Sequence, residues 1–241
     1  KLTQHPDRRL FVPIDQTMER HHKARSGVSL GGIGTGSFEL RKDGIFYNWN
    51  IFNNCPLGFG TPMPYPEDTM LFFIVRYQVQ GENPRMKLLQ IDEGHKVATI
   101  PSHYYTFPWL SGIDRAEYSA SFPYTNIKFT DDDMPLVIEL EAFSPFIPHD
   151  VKNSALPVAF FNFKVRSTTD KPVDVMIMSS SRNAVGYDQP QRTYRTDMVK
   201  KADYKLYQHA CDKLEPEHAS TGTQAVASLS GDSTHYLGWE H

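Results

Sequence analysis

Short apolar runs recur along this chain with polar residues at every second position. The run from Leu71 to Val79 is the clearest: Leu71, Phe73, Val75, Tyr77 and Val79 fall on one face. Phe72 and Ile74 begin the other face, which turns polar at Arg76, Gln78 and Gln80. A period of two is the mark of a β-strand. Ala159, Phe161, Phe163 and Val165 likewise share a face, with Asn162 and Lys164 opposite. Val173, Val175 and Ile177 alternate with Asp174, Met176 and Met178. Thr168 to Pro172 is polar and is predicted to join these two strands as a hairpin. Runs at 86–91, 95–100, 115–122, 125–130, 136–143 and 224–229 have the same texture. Strands at spacings of roughly ten residues with turns between them predict an all-β fold, a large two-sheet antiparallel β-sandwich.

One segment departs from this rhythm. Ala202, Leu206, Ala210 and Leu214 recur every fourth residue, with Tyr207 and Cys211 beside them. That spacing predicts a single helix near 200–215, inserted before the last strand. Residues 1–26 are polar, with Pro6, Pro13 and a basic cluster from His21 to Arg25, and read as an arm laid over a neighbour. Prolines and glycines from Pro56 to Pro66 mark an irregular loop. No internal repeat or domain boundary divides residues 1–241. The closing run, Tyr236 to His241, is aromatic and strand-like, which suggests that the native polypeptide continues.

Composition narrows the function classes. The 25 Lys and Arg against 28 Asp and Glu leave a formal net charge of −3, which argues against a nucleic-acid-binding protein. Hydrophobic residues at 39% and charged residues at 22% are those of a globular domain. No stretch approaches the roughly 18 apolar residues of a spanning helix, so no transmembrane segment is expected. A signal peptide removed before Lys1 would make the protein secreted or periplasmic. The two cysteines, Cys55 and Cys211, are compatible with a bridge or with two thiols.

The glycines at 31, 32, 34 and 36 invite comparison with phosphate-binding loops. A dinucleotide fingerprint would need a third glycine where Ser37 stands, and a helix after it. No lysine follows Gly36 as a Walker motif requires, and the next residues are strand-like. The stretch reads instead as a bulged strand or a close backbone contact. Glu139 and Glu141 share a strand face about 7 Å apart. Glycosidase carboxyl pairs have a similar separation but flank the sugar from opposite sides. With Ile138, Leu140 and Ala142 opposite, the two glutamates read as a solvated sheet face. Asp131, Asp132 and Asp133 lack a spaced calcium loop and read as a hairpin turn. The histidines show no metal-binding spacing, and nothing asks for a cofactor. His149 and Asp150 follow a loop stiffened by Pro145 and Pro148, where they orient a partner or make a loop hydrogen bond. Asn48, Trp49 and Asn50 combine a flat ring with amides, a chemistry that suits sugars. Period two puts the two asparagines on one face and Trp49 on the other, and buried packing of Trp49 competes with the sugar role.

These residues also resemble a family. Gly31-Gly32-Ile33-Gly34-Thr35-Gly36-Ser37-Phe38, followed by Asn48-Trp49-Asn50, is similar to the opening of glycoside hydrolase family 116. That family comprises the non-lysosomal glucosylceramidases and bile-acid β-glucosidases. Ser144-Pro145-Phe146-Ile147-Pro148-His149-Asp150, Ser154-Ala155-Leu156-Pro157-Val158, Asp174-Val175-Met176-Ile177-Met178 and Ser181-Arg182-Asn183 resemble its amino-terminal domain in order and spacing. The resemblance covers roughly residues 26–190; the family's arginine-rich stretch after the glycines is replaced here by Phe46 to Asn50.

The resemblance implies a large, supersandwich-like β-domain followed on the same polypeptide by a catalytic α/α toroid. It implies retaining β-glucosidase chemistry on glucosides, glucosylceramide among them. The glutamate nucleophile and the aspartate acid/base would both lie on the helical domain, so no catalytic residue is assigned to this chain, and no metal or cofactor. The residues expected at the substrate rim or the domain interface are Gly32, Gly34, Gly36, Asn48, Trp49, Asn50, His149, Asp150, Arg182 and Asn183. The expected partners are the carboxy-terminal helical domain and a glucoside. A free-standing carbohydrate-binding module and an interaction scaffold are the alternatives from other classes.

Overall fold

The computed structural model describes residues 27–51, 70–91, 110–189, 193–230 and 232–236. The arm at 1–26, the loop at 56–66 and the strand expected at 95–100 lie outside the described residues. The described residues run through thirteen strands: β1 Ser29–Leu30, β2 Ser37–Leu40, β3 Phe46–Asn50, β4 Leu71–Val79, β5 Arg85–Leu88, β6 Arg115–Ser121, β7 Tyr124–Asp131, β8 Met134–Phe143, β9 Phe160–Ser167, β10 Val173–Ser181, β11 Thr193–Lys200, β12 Lys205–Asp212 and β13 Gln224–Ser228. A single helical turn, α1 (Val151–Ser154), precedes β9. Among the described residues, no helix is long and apolar enough to cross a membrane.

The strands form four antiparallel sheets, ordered β1-β2-β3, β10-β4-β5, β6-β7-β8-β9 and β11-β12-β13. The fold is all-β and sandwich-like, as the alternation predicts. The first three sheets share one core. Leu30, Leu40 and Phe46 enter it from the first sheet, Phe73, Val75 and Tyr77 from the second, and Ile127, Phe129 and Ile138 from the third. Phe46, Phe73 and Phe161 meet edge to face at 5.3–6.0 Å and knit β3, β4 and β9 together. Such ring pairs add to the area they bury. The other face of β4 is also covered at its start: Phe72 and Ile74 pack with Leu88 and Leu110.

Two expectations are corrected. Thr168 to Pro172 is not a hairpin. β9 pairs with β8, whereas β10 pairs with β4 along its whole length. The five residues cross between layers, anchored where the Thr168 N–H donates to Pro135 O and the Gln80 N–H to Pro172 O, each at 2.9 Å. A hairpin would place the apolar faces of β9 and β10 side by side in one sheet. The crossing lets them confront each other across the core.

The helix expected near 200–215 is also absent; β11 and β12 pair there as a hairpin from Thr193↔Asp212 to Lys200↔Lys205. A repeat of four is twice the strand period as well as close to the helical one, so Leu206 and Ala210 share a face either way. Thr193, Tyr194, Thr196, Val199 and Tyr207 supply the β-branched and aromatic content that favours strand.

Candidate functional site

The glycine run closes the β1–β2 hairpin and touches a second loop, residues 144–156. Three hydrogen bonds join them. The Gly31 N–H donates to Ser144 Oγ at 2.6 Å, and the Thr35 hydroxyl donates to Ala155 O at 3.2 Å. The Ile33 N–H donates to Ser154 O at 2.9 Å. Gly32 has no room for a side chain: a Cβ there would stand 2.5 Å from Ala155 O. Gly34 and Gly36 take φ of 74° and 101°, and both turn the loop back into β2. A strand follows, so the loop has no helix N-terminus with which to hold a phosphate.

The 144–156 loop is built around two serines. Ser144 and Ser154 are both buried. Ser154 Oγ accepts from the Ile147 N–H at 2.9 Å and donates to Ile147 O at 3.1 Å. Asp150 caps α1, accepting from the Asn153 backbone N–H at 3.0 Å and from its side-chain amide. Those bonds, the backbone one foremost, hold the Asp150 carboxyl below the usual aspartate range. His149 precedes it, exposed, with φ of 67°. Neither serine was among the expected site residues. An interior hydroxyl bonded to backbone, whether nearby as at Ser154 or distant as at Ser144, leaves no periodic trace in sequence.

Asn48 also has a positive φ, 53°, within β3. This breaks the period of two. Phe46 and Trp49, three residues apart, are both buried, and the Trp49 indole N–H donates to Phe46 O at 3.1 Å. Trp49 is only 4% exposed and stacks on Phe38 at 4.5 Å. It anchors the strand from which Asn48 and Asn50 extend. Asn50 pairs with Ser37, just after the glycine loop.

Arg182 and Asn183 stand elsewhere, where β10 hands the chain to the last sheet. The Arg182 N–H donates to Met70 O at 3.0 Å. The Asn183 side-chain amide donates to Ala210 O at 2.9 Å and to Arg195 O at 3.3 Å, and its Oδ1 accepts from the Val185 N–H at 3.0 Å. Asn183 therefore clamps β11 and β12 to the sandwich.

The acidic candidates separate by burial. Glu139 and Glu141 lie on the outer face of β8, with Ile138, Leu140 and Ala142 buried beneath. Asp132 is exposed and bound to Arg115 at 2.5 Å, and that bond pulls its carboxyl below the usual range. Asp131, in the same turn, has a fully buried side chain and pairs with Lys87 at 3.0 Å. Its two oxygens also accept the N–H groups of Asp114 and Asp133. Among the described residues, no three His, Cys, Asp or Glu converge as a metal site requires.

A Ser, a His and an Asp do meet in the last sheet's loops. The Ser220 hydroxyl donates to Asp188 Oδ1 at 2.5 Å and lies 3.0 Å from His218 Nδ1. In a hydrolytic triad the imidazole bridges serine and aspartate. Here the buried serine bridges the other two, so the cluster fastens a turn.

Fold and site define a β-sandwich module that carries a pair of cross-braced loops. Its sequence matches the family described as beta-glucosidase 2, glycosyl-hydrolase family 116, amino-terminal part, over residues 27–236. The chain belongs to that family.

Proposed function

We propose that this chain is the non-catalytic amino-terminal domain of a retaining β-glucosidase of the glucosylceramidase type. In this reading, its cross-braced loops seat against a carboxy-terminal helical catalytic domain and shape the rim of the sugar site. The observation that carries the proposal is the union of the 31–36 and 144–156 loops. Three bonds and the Gly32 contact make the pair rigid, yet it turns Ile33, Phe146, Ile147, Val151 and Leu156 to solvent. Val151 is 73% exposed and Ile33 53%. A group of exposed apolar side chains on an ordered frame is the mark of an interaction surface. The left-handed conformations of Asn48 and His149 support the same reading, because backbone strain collects at functional sites. Gly34, Gly36, Asn50 and Asp150 would position these groups, whereas Arg182 and Asn183 would act apart from them, at the junction with the last sheet. The reacting carboxyl groups would come from the helical domain, one as nucleophile and the other as acid and then base.

The test uses the full-length enzyme. Ile33→Asp with Phe146→Asp should lower kcat/KM on a chromogenic β-glucoside by about tenfold or more, as the loss of one or two buried anchors does at an interface. Both side chains are exposed in the sandwich, so its melting temperature should hold. Undiminished hydrolysis by the double variant would overturn the docking role. Turnover of the glucoside by residues 1–241 alone would overturn the non-catalytic assignment.

A further inference from the structure

The outer face of the four-stranded sheet carries an ordered array that the loop surface does not use. Its strands are in register across β6, β7, β8 and β9. One row is aromatic: Tyr124, Phe143 and Phe160 stand side by side, with ring centroids 5.2 Å apart in each neighbouring pair. Tyr124 is 43% exposed. Two residues further along each strand lies a row of Ser119, Asn126, Glu141 and Asn162. Beyond it lies Glu117, Lys128, Glu139 and Lys164. A shallow concavity of about 520 Å³ lies over the second and third rows.

The geometry points to a binding site for a neutral oligosaccharide on this face. A pyranose has an apolar face that stacks on an aromatic ring, and a rim of hydroxyls that need paired donors and acceptors. Rows two residues apart on a strand are separated by about 6.7 Å. A sugar stacked at Tyr124 therefore has hydroxyls over Asn126 and Glu141. The Asn162 amide already donates to Glu141 Oε1 at 3.2 Å and fixes that carboxylate. Side chains on paired strands hold their places better than those on loops.

The array also argues against other occupants. Lys128 pairs with Glu117 at 2.8 Å, and Glu139 lies across from both Lys128 and Lys164. With three glutamates against two lysines in these rows, the face offers no positive field to select an anionic polymer. Lys and Glu are depleted at the core of protein interfaces, and here they fill the centre of the face.

The test titrates the 241-residue chain with cellotetraose and laminaritetraose while following its amide resonances, with a heparin tetrasaccharide as the anionic comparison. A neutral tetrasaccharide should give saturable shifts confined to β6–β9. Tyr124→Ala and Glu141→Gln should each weaken binding by about tenfold, the loss of one stacking contact or one charge-assisted hydrogen bond. Glu141→Gln keeps shape and should leave the remaining spectrum in place, so its loss of binding is separable from misfolding. Absence of shifts with both neutral sugars would overturn the site, as would shifts elsewhere, binding of the anionic sugar alone, or undiminished binding by both variants. Protection of these strands in the full-length enzyme against amide exchange, unaltered by either sugar, would assign the face to a domain interface instead. None of these readouts involves hydrolysis, so they stand or fall separately from the docking role of the loops.

Discussion

Gly32 and Gly34 are two residues apart in one loop and are held for different reasons. At Gly32 the space is filled: a Cβ would meet Thr35 Oγ1 at 2.4 Å and Ala155 O at 2.5 Å. At Gly34 the space is open and the constraint is a φ of 74°. Gly34→Ala should therefore cost about 1–2 kcal/mol, the penalty of a left-handed residue with a Cβ. Gly32→Ala must push two loops apart and should cost more, about 3 kcal/mol. Urea unfolding of the two variants decides it; equal losses would contradict the contact at Ala155. Asp131 makes a second contrast with its neighbours. Asp131→Asn leaves Lys87 in a nearly closed site without its counter-charge, and should destabilise by about 3–5 kcal/mol. Asp132→Asn removes only an exposed pair and should be close to silent in the same measurement. Sequence shows three adjacent acids at a turn. It does not show that alternation along β7 sends the first of them inward.

Among the elements, the strands with one apolar face were legible. β4, β8 and β9 lie close to where alternation puts them, because a half-buried strand writes its two environments into every second residue. Pairing was less legible. Val173, Val175 and Ile177 have the same inward pattern whether β10 lies beside β9 or faces it, so the crossing at 168–172 left no local sign. The last sheet was obscured because its apolar residues are few and recur at a spacing common to strand and helix. Its attachment rests on polar contacts, Asn183 foremost. Asn183→Ala removes donors to two neighbouring strands and should cost about 1–2 kcal/mol. Amide exchange should quicken across 193–228 while β7 and β8 keep their protection; uniform quickening would deny Asn183 that local role. The same sheet holds a buried imidazole. His209 sits in β12 with its Nδ1 3.0 Å from the Thr196 hydroxyl, and burial holds its pKa below the ordinary histidine value. The unfolded chain therefore binds the proton more readily than the folded one. This contribution to stability is complete above about pH 6.5 and is lost as pH falls toward the folded value. Melting temperature should drop as pH falls below about 6.5 in the native protein, and drop less in His209→Gln; parallel curves would show that the imidazole is not the source.

At the scale of the whole molecule, three sheets share a single core, and Phe73 lies at its crossing. Its ring meets Phe46 at 6.0 Å, Phe161 at 5.3 Å and Phe163 at 4.9 Å, so it joins the second sheet to the other two. Phe73→Ala should cost about 3–5 kcal/mol, the usual toll of a cavity left by a buried ring. That is a large share of the roughly 5–15 kcal/mol that holds a domain together. The shared core also sets the form of the transition. The loop pair and the outer face of β6–β9 both stand on strands that enter this core, so neither site has independent support. Loss of Phe73 should weaken all three sheets together and leave one cooperative unfolding step. Tryptophan emission, to which Trp49 contributes from beside β2, and the far-ultraviolet signal of the strands should shift to the same new midpoint. If the two midpoints separated, the first sheet and its glycine loop would be a unit of their own. The rigid frame proposed for the loops would then have to come from the partner domain, not from the sandwich beneath them.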